Sequence, residues 1–165
     1  MKKDIFYLLF ISFVFLYACG APSEQQEETA DTQEELPESI QKGMGIGPIT
    51  SVEIPDSIDQ AMAIKGREII QQECRNCHRN DDRELIGPGF EGITNRRRPE
   101  WIMNMITNTE IMLELDPTAR ELLKLAERRV MPHQAVSKED ARNLLEFYRL
   151  NDENRIGTRD EGVNL

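Results

Sequence analysis

The sequence predicts an all-α domain of about four helices over residues 56–150. Three observations predict it. Apolar residues recur at helical spacing in four stretches, each led by a capping residue or a proline. No stretch alternates apolar and polar residues as a half-buried strand would. Glycine and proline fall between the stretches, at Ile86-Gly87-Pro88-Gly89 and at Met131-Pro132.

The chain of 165 residues begins with a segment that does not belong to that domain. Lys2 and Lys3 precede a run of apolar and aromatic residues from Ile5 to Tyr17, interrupted only by Ser12. The run is too short for a membrane span, which needs about 20 residues, and suits the apolar region of an export signal. It ends in Leu16-Tyr17-Ala18-Cys19, which resembles a bacterial lipobox. That resemblance implies a signal peptide over 1–18, cleavage before Cys19, and acyl chains on Cys19 that anchor the chain stably to a membrane. Gly20 lacks the aspartate that would favour inner-membrane retention, which leans the expected placement outward. The expected location is beyond the cytoplasmic membrane, facing the periplasm or the cell exterior.

Residues 19–55 read as an acidic tether. From 20 to 55 there are eight carboxylates against Lys42 alone, a net −7, whereas 56–165 carry 17 Lys and Arg against 21 Asp and Glu, a net −4. A stretch so rich in Glu, Gln, Ser and Thr lacks the apolar surface to fold, and a disordered spacer is expected. The overall charge of −10 gives no reason to expect a nucleic-acid partner.

Within the domain, Asp56 and Ser57 are candidate caps for the first helix, Ser57 with Gln60 resembling a capping box. Ile58, Met62 and Ile69 or Ile70 form its apolar stripe. Pro99 opens a second helix carrying Trp101, Ile102, Met105 and Ile106. Asp116-Pro117 opens a third with Leu122, Leu123, Leu125 and Ala126. After a break at Val130-Met131-Pro132, Ser137 and Asp140 form a capping box for the last helix, with Ala141, Leu144, Leu145, Phe147 and Tyr148. Residues 151–165 read as a polar, frayed tail.

The first helix runs into Cys74-Arg75-Asn76-Cys77-His78. This is C-x-x-C-H, the attachment sequence of a c-type haem. Two thiols so spaced can each add to one vinyl group of a porphyrin, and the next histidine can ligate its iron. A zinc site would need four ligands, and Cys19 and His133 are the only further Cys or His candidates. A thioredoxin-like pair expects a βαβ pattern, which is not visible. The adjoining histidine and the export signal favour one haem, attached through Cys74 and Cys77.

With these residues in place, the chain from 56 to 150 resembles a class I cytochrome c. Gly66 and, four residues on, Ile70 match the family's glycine and large apolar residue, although the usual aromatic ring is absent. Leu144 and Phe147 match the pair that packs against that glycine. The resemblance implies a cytochrome c fold wrapped around the haem. It implies that the Pro88 carbonyl accepts the ring N–H of His78. It also implies that Met131, ahead of Pro132, supplies the sixth ligand.

Seven methionines are present. Met1 is lost with the signal and Met44 lies in the tether. Met62, Met103, Met105 and Met112 sit in or beside helices, where methionine is more often core filler than ligand. His133 is the rival of Met131 and would give a lower-potential bis-histidine site. Arg96-Arg97-Arg98 reads as a contact for the haem propionates, a docking patch for an acidic partner, or a solvated turn, and the sequence does not choose among them.

The resulting expectation is a single-electron carrier and not an enzyme. A closed His/Met site leaves no position for substrate. The alternative is a haem enzyme or gas-binding sensor, which needs a labile sixth position. Redox proteins beyond the membrane are the expected partners. The segment from Arg97 to Asn108 is similar to cytochromes associated with nitrous-oxide reductase systems, which implies that enzyme as a candidate partner.

Overall fold

The computed structural model describes residues 35–165. The signal peptide, Cys19 and the first part of the expected tether lie outside the described residues. Among the described residues there are seven helices and no strand. They are α1 (Glu38–Gln41), α2 (Gln60–Ile69), α3 (Ile93–Arg96), α4 (Pro99–Thr107), α5 (Thr109–Leu115), α6 (Pro117–Leu125) and α7 (Lys138–Ile156). Among the described residues, no helix is long and apolar enough to cross a membrane.

The helix starts follow local chemistry. The carboxylate of Asp116 accepts from Ala119 N at 2.8 Å, and Pro117 follows as the first helical residue of α6. Ser137 Oγ accepts from Asp140 N at 3.0 Å to start α7. The start of α2 differs from expectation. Its cap is Asp59, whose carboxylate accepts from Met62 N at 3.0 Å, not Asp56 or Ser57. The helix α5 was not anticipated. Asn108 separates it from α4, and Met112 turns inward, fully buried.

The first and last long helices, α2 and α7, make the most extensive helix–helix contact. They cross at Gly66. A Cβ there would lie 2.8 Å from the Cβ of Phe147 and would strike the Asn143 carbonyl. Only glycine lets the two backbones approach so closely. Ile70, Leu144, Phe147 and Tyr148 are buried around the crossing.

Two boundaries are corrected. Residues 44–54 are not an unfolded spacer but a strap laid across α4 and α5. Asn104, 1% exposed, receives Ile49 N at 3.0 Å and donates to the carbonyls of Met44 and Ile49. Ile46 N meets the sulfur of Met112, and Val52 N donates to Glu100. Gly45 has φ +70, and a Cβ there would collide with that sulfur. The cause is a spaced apolar set, Ile46, Ile49, Val52 and Ile54, concealed by the acidic average of the segment. Similarly, 151–165 is not frayed. α7 continues to Ile156 and ends on Gly157 at φ +73. The chain then packs back, with Asp160 paired to the buried Arg149 at 2.9 Å and Gly162 against the backbone of Arg97.

Candidate haem site

The end of α2 widens into a π turn, Ile70–Cys74, which delivers Cys74 half-buried. The motif then closes on itself. Cys77 N and His78 N both donate to the Cys74 carbonyl, at 3.1 and 3.0 Å. Ile86 N and Gly87 N donate in turn to the Cys77 carbonyl, at 3.0 and 2.9 Å. This folds the Gly-Pro loop back over the histidine. His78 Nδ1 lies 2.8 Å from the Pro88 carbonyl. A carbonyl can only accept, so the proton is on Nδ1 and Nε2 keeps its lone pair. The imidazole stacks on Phe90, with ring centroids 4.7 Å apart and planes 15° from parallel. A Cβ at Gly87 would strike the ring.

These residues open onto one large, mainly apolar cavity. Cys74, Cys77, His78 and Pro88 line it together with Trp101, Ile102 and Ile106 of α4, Leu122 and Leu123 of α6, and Tyr148 of α7. Met131, half-buried, lines the same cavity. His133 does not; it is exposed. Met105 of α4 is a second thioether on the wall, which helical spacing alone assigned to core. Met103 and Met112 are buried elsewhere in the core.

The arginine run divides. Arg96 and Arg97 line the cavity, the Arg97 guanidinium lying 5.3 Å from the Trp101 ring centroid. Arg98 is drawn away by Glu100 at 3.3 Å and the Leu165 carbonyl at 2.8 Å. The contributions of Tyr148 and Arg129 to the wall were missed in the sequence. Tyr148 has ordinary helical spacing, and the only hint for Arg129 is its place two residues before Met131.

Electrostatics suit thioether attachment at Cys74 and a neutral imidazole at His78. Burial, aided by Glu73 and Cys77, pushes the Cys74 thiol up to about 11. A thiolate is therefore disfavoured there, while a thioether bears no such penalty. Burial lowers the His78 pKa, partly opposed by the Pro88 bond. The ring is held neutral, the form that ligates metal. Two thiols, one oriented imidazole and a thioether around one apolar cavity fit a c-type haem.

The solved structure of a cytochrome c from Rhodothermus marinus is similar to this chain at 34% identity, covering 72% of this chain and 99% of that one, with a TM-score of 0.65. The chain belongs to the cytochrome c family. An engineered form of the Rhodothermus marinus cytochrome c matches at 33% identity over 70% of this chain and 96% of that chain, with a TM-score of 0.63. The same engineered protein, bound to a carbene intermediate, matches at 32% with a TM-score of 0.61. No family model matches the chain, nor does any curated protein. As a cytochrome c it is a haem-based electron carrier with one covalently bound haem, and Cys74 and Cys77 stand in the attachment motif. The stretch from Arg97 to Asn108 is largely buried in this cytochrome, with Trp101, Ile102, Met103, Asn104 and Ile106 facing inward.

Proposed function

We propose that this cytochrome is a membrane-tethered, single-electron carrier whose iron is ligated by His78 and Met131. The observation that supports the ligand pair is that both side chains line one cavity, while His133 lies outside it. Bound there, the haem supplies a one-electron couple. Cys74 and Cys77 would hold it covalently, His78 would offer the Nε2 lone pair, and Met131 would offer sulfur. The His78–Pro88 bond fixes the ring and raises its basicity toward iron. A thioether ligand in place of a second imidazole favours ferrous iron and would raise the potential.

Cys19 after an apolar export segment supports a lipid anchor beyond the cytoplasmic membrane. The anchor would confine the carrier near membrane-bound redox partners and raise its effective concentration there. Nitrous-oxide reductase is the first acceptor to assay. Stopped-flow oxidation of the reduced protein by that enzyme should be fast, and slow transfer would remove it as partner.

The ligand assignment is tested by the spectrum of the oxidised protein. Sulfur bound to ferric iron gives a weak band at the red edge of the visible range. The band should be present in the native protein and absent in Met131→Ala, which should keep its covalent haem and show a lower potential. A band that survives in Met131→Ala would reject Met131 as ligand.

A further inference from the structure

We propose that Asp152 and Tyr148, on α7, are positioning residues that hold Phe90 against the His78 imidazole. The proposal rests on the ligation of iron by His78 given above.

Asp152 is fully buried. A carboxylate in that setting is unfavourable unless donors surround it. Asp152 takes three, all from one corner of the chain. Its Oδ1 accepts from Gly92 N at 2.7 Å. Its Oδ2 accepts from Thr94 N at 2.9 Å and from Thr94 Oγ1 at 2.7 Å. Gly92 precedes α3 and has no side chain with which to cap it. Asp152 supplies that cap from another helix. The same corner begins at Phe90, whose carbonyl accepts from Ile93 N at 3.1 Å. Fixing Gly92 and Thr94 therefore fixes the backbone of Phe90.

Tyr148 lies one turn before Asp152, on the same face of α7. Its ring meets Phe90 with centroids 4.8 Å apart, and Phe90 stacks in turn on His78 at 4.7 Å. Phe90 is thus held by its ring between Tyr148 and His78, and by its backbone through Asp152. The same helix face makes two more bonds to this region. Asn151 Nδ2 donates to the Asn80 carbonyl at 2.8 Å, and Arg155 pairs with Glu91 at 3.3 Å. Phe90 N donates to the carbonyl of Arg79, the residue after His78, at 2.9 Å. The last helix therefore grips both the segment that follows the imidazole and the ring that backs it. A ring so backed keeps one plane in both oxidation states, and little reorganisation would accompany each electron.

The test follows solvent exchange of the His78 Nδ1 proton by NMR in the reduced holoprotein. The residue is identified there by ring protons shifted by the haem ring current. Exchange requires the bond to Pro88 to open. Asp152→Asn keeps the shape and loses one acceptor oxygen. It should exchange about tenfold faster, equivalent to about 1.4 kcal/mol in the opening equilibrium. Thr94→Val removes one of the three donors, with the longer 3.3 Å bond from Asp160 N, and should quicken exchange less. Thr94→Ser keeps the hydroxyl and should match the native protein. Glu146→Gln is the contrast. Glu146 is the other fully buried carboxylate of α7, but it serves Arg149 and Asp59 N. Its replacement should lower the melting temperature and leave the exchange unchanged. The proposal is overturned by native exchange in Asp152→Asn or, should that variant not fold, in Thr94→Val. Equal quickening in Glu146→Gln would overturn it as well. Ring protons of His78 that show no haem shift in the native protein would instead remove the ligation reading, and the positioning role with it.

Discussion

The imidazole of His78 is fixed from three sides. Pro88 accepts its Nδ1 proton, Phe90 stacks on one face, and the missing side chain of Gly87 leaves room for the ring. Gly87→Ala places a methyl against that ring, and overpacking of this kind costs about 1–3 kcal/mol. The variant should therefore lose denaturant resistance by that amount and show a larger high-spin fraction by optical spectroscopy. Cys74-His78 and Gly87-Pro88 were legible in the sequence because each is a contiguous motif. Met105 and Tyr148 were not, because helical spacing marks a side chain as inward without saying whether it meets protein or cofactor.

At the scale of elements, the crossing of α2 and α7 depends on one glycine. Gly66→Ala drives a Cβ into the Asn143 carbonyl, and the helices must separate to admit it. A loss of about 1–3 kcal/mol is expected in chemical denaturation, with the haem still attached. Asp116 couples two helices, capping α6 while accepting from Trp101 Nε1 at 3.1 Å. Asp116→Ala should cost about 1–2 kcal/mol for the cap, plus the penalty of an unpaired buried indole N–H. Proline and caps made the starts of α4, α6 and α7 readable. The start of α2 was ambiguous because three capping types, Asp56, Ser57 and Asp59, fall within four positions. The short α5 follows α4 directly and carries too few turns for its period to stand out.

Among the described residues, α3 to α7, the π turn after α2 and the loops between them enclose the haem cavity. Its apolar lining includes Ile86 and Val130, which stay 41% and 65% exposed in the protein alone. Cofactor binding is therefore folding energy, and Cys74→Ser/Cys77→Ser should lose most of its helical circular dichroism. The strap and the C-terminal segment pack onto these helices from outside. Arg149, fully buried, joins them by bonding Glu146, Asp160 and the Pro55 carbonyl. A chain beginning at Asp56 should melt below one beginning at Glu35, because it forfeits the Asn104 bonds and the burial of Ile49. Average composition concealed this strap; only the positions of its four apolar residues, set against α4, reveal it.

The central claim is a closed, six-coordinate haem that moves one electron. Redox titration of the holoprotein, followed by its absorption spectrum, tests it most directly. The account predicts one reversible one-electron step with low-spin spectra in both states. A high-spin spectrum, with ready binding of carbon monoxide by the reduced form, would contradict it.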